Sequence, residues 1–208
     1  RGIPYLDWGV HPGRDWIRKV DYGGPYSPKK NVFYQSELNA TSGSVGWGWN
    51  NTSLNYTIMR FADVLLMAAE AEIEVGTLET ARQYINRVRE RAAASPVKTL
   101  DGSADAANYH VSLYTTPFSS KEEARKIVRF ERKLELAMEG HRFYDLVRWG
   151  IVADEMNAYL AVEAVRRPTT LDGTSFTPNK HKYLPIPDFA ITQSIQDGQP
   201  TLKQNPNY

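Results

Sequence analysis

The stretch that decides the fold is NYTIMRFADVLLMAAEA, residues 55–71. From Tyr56 onward, apolar residues recur every three or four positions, which is the period of an amphipathic helix. Gly76 follows this pattern and is a typical residue at a helix C-terminus. The pattern therefore predicts a helix from about residue 56 to just before Gly76, with an apolar stripe of Ile58, Phe61, Ala62, Leu65, Ala69 and Ile73.

A second helix is predicted directly downstream, over about residues 78–94. Its apolar positions again fall on one helical face. Only Gly76-Thr77 separates it from the first helix, and so short a connection folds two helices back as an antiparallel hairpin. The residues expected on the buried face are Leu78, Ala81, Ile85 and Val88.

A second pair of helices is predicted after a loop over residues 95–118, which is rich in turn-forming residues. Ser119-x-x-Glu122 forms a capping box, so the third helix should begin at Ser119 and reach Gly140. The fourth helix is expected from about Phe143 to Val165, with an interruption near Gly150. After Pro168, further prolines preclude a long helix. The apolar stripe predicted for the third helix is Ala124, Ile127, Leu134 and Met138.

The first 50 residues differ from the rest, because they hold nine of the 24 aromatic side chains. Gly23-Gly24-Pro25 and Ser27-Pro28 interrupt any helical or strand period there. Disordered segments are poor in aromatics, so an ordered irregular region is expected. We predict an aromatic-rich region over residues 1–55, which forms part of a ligand-binding face, and a helical region over residues 56–208. The fold class is mainly α, with helical hairpins and long irregular loops.

Composition excludes several classes of function for these 208 residues. Lys plus Arg number 25 against 24 Asp plus Glu, a net charge of +1, which argues against a nucleic-acid partner. The absence of cysteine excludes disulfides, thiolate zinc sites and cysteine nucleophiles. The longest uninterrupted apolar run, Val64 to Ala69, is far shorter than the roughly 18 residues of a membrane span. No signal peptide pattern is present at the first residues.

A group of charged residues near the third and fourth helices invites a catalytic interpretation. Glu131, Glu135 and Glu139 are spaced by four and share a helix face. A glycosidase pair would instead flank an open cleft. Each acid has a basic residue within helical reach, so we favour a structural ion-pair network joining the third helix to the fourth. The other members of the group are Arg132, Arg142, Asp145 and Arg148.

No metal site, cofactor or catalytic residue is predicted. The four histidines share no zinc spacing and lie in no HExxH helix. Asp101 to Asp105 begins like a calcium loop but lacks the later ligands and the bidentate glutamate. We expect an ordinary Asx-rich turn.

Seven stretches, which match four parts of the family pattern, together resemble the SusD/RagB family of outer-membrane lipoproteins. NYTIMRFADVLLMAAEA (residues 55–71) is similar to its tetratricopeptide-type helix, and FERKLEL (130–136) through EGHRFYDLVRWG (139–150) to its second helical signature. YLPIP (183–187) and LKQNPNY (202–208) resemble its closing segment, and GIPYLDWG (2–9) and GPYSPKKN (24–31) its central region. Family members are much longer, so the resemblance is to their C-terminal part. Ala190 stands where the family pattern leads us to expect an acidic residue.

The resemblance implies a tetratricopeptide-like helical scaffold carrying an irregular ligand-binding face. It also implies a non-enzymatic protein that binds a polysaccharide or oligosaccharide at the cell surface. Such a protein would deliver the glycan to a TonB-dependent, SusC-like outer-membrane transporter. It would contact the outer membrane only through a lipid anchor outside this chain.

Trp47 and Trp49 are the first candidates for ligand binding, because a flat ring can stack on the apolar face of a sugar. They alternate with glycines that leave the rings room, and Asn50 follows with hydrogen-bonding capacity for hydroxyls. Trp16 and Tyr22 are further candidates in the same region. Each Trp could instead pin a long loop onto the helices, since large aromatics are mostly buried. A scaffold that holds only the transporter is therefore the alternative, and exposed, co-planar rings at Trp47 and Trp49 would favour sugar binding.

Overall fold

The structure, a computed structural model, describes Lys30, two pairs of strand residues, residues 57–99 and residues 101–208. Strand β1 (Ser42–Gly43) pairs antiparallel with β2 (Asn51–Thr52), with Gly43 opposite Asn51. The boundary predicted between residues 55 and 56 lies outside the described residues. The helices that follow belong to two compact units, one ending at Met138 and the other spanning Glu139–Tyr208.

Helix α1 spans Phe61–Val75 and begins later than predicted, after an extended Arg60. The predicted stripe is wrong at Ile58 and Phe61, but Ala62 packs partly buried against the core and the stripe is correct from Leu65 onward. Ile58 is 80% exposed and Phe61 is 61% exposed, with the Arg87 guanidinium 5.5 Å from the Phe61 ring. The inward face consists instead of Leu65, Leu66, Ala69, Ile73 and the carboxylate of Asp63.

Helix α2 spans Leu78–Ala94 and confirms the predicted hairpin. The Gly76 N–H donates to the Glu72 carbonyl at 2.9 Å and ends α1 where expected. The Thr77 hydroxyl then accepts a hydrogen bond from the Thr80 N–H, which caps α2. Gly76 and Thr77 thus supply hydrogen-bond partners for the end of α1 and the start of α2, and the chain reverses direction between the two helices. The predicted α2 residues Ala81, Ile85 and Val88 are buried, with Leu78 partly buried beside them.

Helix α3 spans Lys121–Glu135, and its capping box lies one residue later than predicted. The Ser120 hydroxyl accepts from the Glu123 N–H at 3.1 Å, while the Glu123 carboxylate accepts from the Ser119 N–H at 2.6 Å. The sequence offers two consecutive serines before two consecutive glutamates, so the register of the box could not be decided from the pattern alone.

The predicted apolar stripe of α3 holds only in its first half. Ala124 is fully buried and Ile127 partly, but Leu134 is 53% exposed and Met138, beyond the helix, is 67% exposed. The inward face changes from apolar to charged after Val128, which explains the error. The buried positions that follow are Glu131 and Arg132.

One apolar core joins α1, α2 and α3. Phe118, from the segment before α3, completes it, and its ring meets Tyr114 edge-on at 5.8 Å between centroids. Burial of such side chains is the main stabilising contribution, at about 1.5–3 kcal/mol for each large apolar residue. The helical members are Leu65, Leu66, Ala69, Ile73, Ala81, Ile85, Val88, Ala124 and Val128.

The predicted fourth helix is interrupted in the second unit, as expected, at Gly150. Helix α4 (His141–Arg148) ends there and α5 (Val152–Arg166) follows. Gly150 has a φ of 72°, a left-handed conformation that glycine adopts without steric cost. Leu146, Val152 and Phe176 form the buried core of this unit.

The chain after Pro168 contains only short elements, in agreement with its prolines. They are helices α6 (Pro168–Leu171), α7 (Pro178–His181) and α8 (Asp188–Gln193), followed by the antiparallel strands β3 (Ile195–Gln196) and β4 (Gln199–Pro200). Among the described residues, no helix is long and apolar enough to cross a membrane.

The long segment before α3 is fixed to α2 by an amide side chain. The Asn86 side chain donates to the Tyr114 carbonyl at 3.0 Å and accepts from the Tyr114 N–H at 2.9 Å. The Arg82 guanidinium donates to the same carbonyl at 2.5 Å, and Arg89 to the carbonyl of Ser112. Side chains of α2 therefore bind the main chain of a segment that has no strand or helix of its own.

The same two-bond arrangement occurs twice in the second unit. Asn157 of α5 donates to the Phe176 carbonyl at 3.1 Å and accepts from the Phe176 N–H at 2.7 Å. Gln204 accepts from the Ile186 N–H at 2.8 Å and donates to the Ile186 carbonyl at 2.9 Å. Buried main-chain groups need partners, and these amides provide both the donor and the acceptor.

Candidate functional site

The predicted ligand residues Trp16, Tyr22, Trp47, Trp49 and Asn50 lie outside the described residues, so their role stays a prediction. In sequence, Trp47, Trp49 and Asn50 fall between Gly43 and Asn51, the two residues that pair across β1 and β2. That pairing holds the two ends of the segment side by side.

Glu131 was the first acid in the catalytic interpretation, and the structure buries it with two partners. Its side chain is 4% exposed. The Arg89 guanidinium of α2 donates to its carboxylate at 2.5 Å, and the Tyr114 hydroxyl donates to the same oxygen at 2.9 Å. The Arg89 guanidinium also lies 4.7 Å from the centre of the Tyr114 ring. This carboxylate is therefore a structural anion that joins α3 to α2.

Arg132 and Asp63 form a buried ion pair between α3 and α1. The guanidinium and the carboxylate are 2.8 Å apart, and each side chain is only 4% exposed. Removing such charges from water is costly, so a buried pair persists only when the charges satisfy each other. This pair fixes the register of α3 along α1.

Three cationic side chains bind Glu135 at the C-terminal end of α3. The Arg60 guanidinium lies 2.5 Å from its carboxylate and donates to its main-chain oxygen at 2.6 Å. Arg91 from the end of α2 binds the same carboxylate. Lys30 donates to the main-chain oxygens of Glu135 at 2.6 Å and Ala137 at 3.0 Å. We call this cluster of Lys30, Arg60, Arg91 and Glu135 the α3 junction.

These contacts support the structural interpretation of the charged group and correct its partners. Glu131, Arg132 and Glu135 bind residues of α1, of α2 and of the segment before α1. The prediction that their partners lie in the fourth helix is wrong for these three residues. In the second unit, Arg142 pairs with Glu155 of α5 at 3.0 Å. Arg148 pairs with Asp145 one turn earlier, at 2.8 Å.

The predicted turn is present, and the Asp101 side chain stabilises it. Its carboxylate accepts hydrogen bonds from the Thr99 hydroxyl at 2.5 Å and from the Ser103 N–H at 3.1 Å. These bonds favour the charged form and lower the pKa of Asp101 to about 2. Within residues 57–99 and 101–208, no group of three or more potential ligands could hold a metal ion.

The Tyr114 hydroxyl predicts a stability effect at high pH. Burial and its hydrogen bond to Glu131 raise the pKa of Tyr114 to about 12, from an ordinary value of 10.0. Between these pH values the unfolded chain loses this proton first, so the stabilisation is present below pH 10 and falls as the pH rises towards 12. The free energy of unfolding of wild type should exceed that of Tyr114→Phe by about 1–2 kcal/mol at pH 8, and this difference should become smaller towards pH 12.

Urea unfolding at a series of pH values measures this difference directly. Tyr109→Phe, at an exposed ring in the same segment, is the control and should track wild type throughout. A difference between wild type and Tyr114→Phe that stays constant from pH 8 to pH 12 would contradict the proposed hydrogen bond to Glu131.

A model of the SusD family matches residues 13–208, which is nearly the whole chain and includes both helical units. The chain belongs to the SusD family. The fold predicted from the family resemblance, with tetratricopeptide-like helical hairpins and long loops, is therefore confirmed.

Similar SusD-like proteins agree with this assignment. SusD-like protein P25 of Formosa agariphila is 37% identical over 66% of this chain and 22% of that protein. SusD-like protein P2 of the same organism is 41% identical over 51% of this chain and 19% of that protein. A solved SusD superfamily protein from Bacteroides vulgatus is 30% identical, with a TM-score of 0.51, over 74% of this chain and 28% of that chain. This SusD-family chain thus spans about a fifth to a quarter of the relatives it matches.

Two residues that make tertiary contacts in this structure, Asp63 and Lys30, were not identified from the sequence. Asp63 lies within the apolar run of α1, and an acid on a buried helix face requires a buried cation, which Arg132 supplies. That signal was present in the sequence. Lys30 gave no comparable signal, since its acceptors are main-chain oxygens more than a hundred residues away.

Proposed function

We propose that this protein, at full length, binds a polysaccharide or oligosaccharide at the cell surface without catalysis. It then delivers the glycan to a TonB-dependent, SusC-like transporter in the outer membrane, to which it is anchored by a lipid outside this chain. The observation that carries this proposal is the match of residues 13–208 to the SusD family, whose members are generally glycan-binding proteins of nutrient uptake.

The proposed ligand-binding residues are Trp47, Trp49 and Asn50, with Trp16 and Tyr22 as further contacts. Indole rings bury the C–H face of a pyranose, and an amide next to them can hydrogen-bond its hydroxyls. The pairing of Gly43 with Asn51 supports this choice, because it brings together the two described residues that flank Trp47, Trp49 and Asn50 in sequence.

Replacement of either tryptophan tests the proposed site. Trp47→Ala and Trp49→Ala should each weaken glycan binding by the full-length protein about two- to tenfold, the loss expected for one stacking contact of about 0.5–1.5 kcal/mol. Titration calorimetry with a polysaccharide that wild type binds gives the affinity, and a thermal melt confirms the fold. Tyr144→Ala removes a 74%-exposed ring elsewhere and is the control. Wild-type affinity in both folded tryptophan variants would place the site elsewhere.

The non-catalytic part of the proposal is supported by the state of the acids in α3. Glu131 and Glu135 are bound to arginines rather than placed on either side of an open cleft. Incubation with a polysaccharide panel should therefore release no reducing ends. Turnover that survives repurification and disappears on replacing one carboxylate would overturn this part.

A scaffold that holds only the transporter is the second candidate, and exposed apolar residues in α1 and just before it favour this candidate. Ile58, Phe61 and Val75 are 80%, 61% and 90% exposed, and such apolar residues suit a protein contact. Co-purification of the transporter with a full-length protein that binds no polysaccharide would support the scaffold. Saturable glycan binding in the absence of the transporter would support the first proposal.

A further inference from the structure

The second unit contains two neighbouring tyrosines, each with a lysine against its ring. The Lys180 ammonium lies 5.0 Å from the centre of the Tyr208 ring, and the Lys182 ammonium lies 5.0 Å from the centre of the Tyr183 ring. The Tyr208 hydroxyl donates to the Tyr183 main-chain oxygen at 2.9 Å, so the two pairs adjoin each other. We call Tyr183, Tyr208, Lys180 and Lys182 the tyrosine–lysine patch.

The segment that carries Tyr208 is fixed by side-chain bonds to the main chain. The Asn205 side chain donates to the Leu184 carbonyl at 2.5 Å, and the Asn207 side chain donates to the Asn179 carbonyl at 2.9 Å. These bonds lie on either side of the hydrogen bond between the two tyrosines in the chain. The patch is therefore formed without a ligand, and a site that is already formed loses little entropy on binding.

The two lysines of the patch are cations that form no ion pair with any residue of 57–99 or 101–208. Both are only partly exposed, although lysine is mostly exposed in folded proteins. Each ammonium is placed against a ring, which attracts a cation but does not neutralise its charge. Two such charges close together give a positive potential at the surface. The patch therefore attracts an anion.

The tyrosines favour a sugar as the molecule that carries this anion. Tyr183 and Tyr208 are 46% and 43% exposed, so part of each side chain can contact a ligand. A phenol ring packs on the apolar C–H face of a pyranose. Asn207 is exposed and keeps a second N–H and its carbonyl oxygen for hydroxyl groups. An acidic sugar supplies the carboxylate or sulfate for the ammonium groups together with that C–H face.

We infer that the tyrosine–lysine patch binds an anionic sugar unit of a polysaccharide, one that carries a carboxylate or a sulfate. Lys180 and Lys182 bind the anionic group, and the Tyr183 ring packs against the sugar that carries it. This inference rests on the proposed function, because it names the class of glycan that the protein binds. It also adds a contact surface in the second unit, apart from the tryptophans of the first 50 residues.

The test measures the affinity of the full-length protein for two matched pairs of polysaccharides. Polygalacturonate and its fully methyl-esterified form differ in the carboxylate, whereas dextran sulfate and dextran differ in the sulfate. Poly-L-glutamate is the control for a polyanion without sugar. The variants are Lys180→Met with Lys182→Met, the same two lysines changed to arginine, and Tyr183→Ala. The control variants are Lys203→Met, an exposed lysine of the same unit, and Tyr159→Ala, a 55%-exposed tyrosine of α5.

Wild type should bind polygalacturonate or dextran sulfate more tightly than the neutral member of the same pair, and added salt should weaken this binding. The double methionine variant should lose affinity about four- to twenty-five-fold, the product of about two- to fivefold for each exposed ion pair. The arginine variant should keep most of the affinity. Tyr183→Ala should lose about two- to tenfold, and both control variants should bind like wild type. A thermal melt confirms the fold of each variant.

Wild-type affinity for the anionic polysaccharide in the folded double methionine variant would overturn the inference. Equally tight binding of poly-L-glutamate would also overturn it, since charge alone would then explain the binding. If wild type binds dextran or the methyl ester as tightly as the charged forms, the inference fails and the proposed function stands. If wild type binds none of the four polysaccharides, the inference and the proposed function both fail for these ligands.

Discussion

Arg132→Met should lower the free energy of unfolding by about 3–5 kcal/mol, the usual cost of leaving one buried charge without its partner. The Asp63 carboxylate would remain 4% exposed with its nearest cation gone. Methionine keeps much of the stem volume of arginine, so most of the effect comes from the lost charge. Urea unfolding at neutral pH, followed by circular dichroism, measures the change.

The chain offers a matched control that joins the same two helices. Arg125 of α3 binds Glu74 of α1 through two contacts of 2.7 Å, but their side chains are 35% and 50% exposed. Arg125→Met should therefore cost only about 0.2–1 kcal/mol. Asp63→Leu combined with Arg132→Met should recover much of the stability, because no lone charge is then buried. If the double variant is as unstable as Arg132→Met, packing rather than charge determines the effect.

Leu66→Ala is expected to destabilise the protein by about 2–5 kcal/mol, the range for a buried leucine truncated to alanine. Leu66 has no exposed surface and lies in the core shared by α1, α2 and α3. The truncation removes its contacts and leaves a cavity that close-packed neighbours fill only in part. A thermal or urea melt gives the magnitude.

Val64→Ala is the corresponding control on the outward side of α1, where Val64 is 40% exposed. It should change the free energy of unfolding by no more than about 0.5 kcal/mol. Equal melting of Leu66→Ala and wild type would show that the inward face of α1 has been assigned wrongly. Equal losses in both variants would point to helix stability rather than core packing.

Helical periodicity predicted the elements better than it predicted their buried faces. The Gly76-Thr77 hairpin and the break at Gly150 follow from local chemistry, and both were predictable. Periodicity failed at Leu134, since it assumes that an inward face stays apolar along the helix. In α3 that face becomes charged after Val128, and its charges are paired with residues of other helices, such as Asp63 of α1. Such pairings depend on tertiary structure.

The candidate site was less predictable than the fold, for a related reason. The ion-pairing role of Glu131 could be argued from nearby basic residues, but its partners Arg89 and Tyr114 could not. They are distant in sequence and meet Glu131 only after three helices pack. Lys30 binds main-chain oxygens, which every residue has, so no side-chain pattern marks its acceptors.

Three amide side chains, those of Asn86, Asn157 and Gln204, bind the main chain of connecting segments. This affects how freely the sequences of those segments can diverge. Asn86, Asn157 and Gln204 each bind both the N–H and the carbonyl of the residue opposite, and these two bonds do not depend on the side chain of that residue. Nineteen of the twenty amino acids offer that pair of groups, and proline alone does not. In the run from Pro185 to Pro187, the anchored position is the one residue that is not a proline. These bonds therefore permit any amino acid except proline at the anchored position, and at Tyr114 and Phe176 the requirement for a particular side chain comes from other contacts.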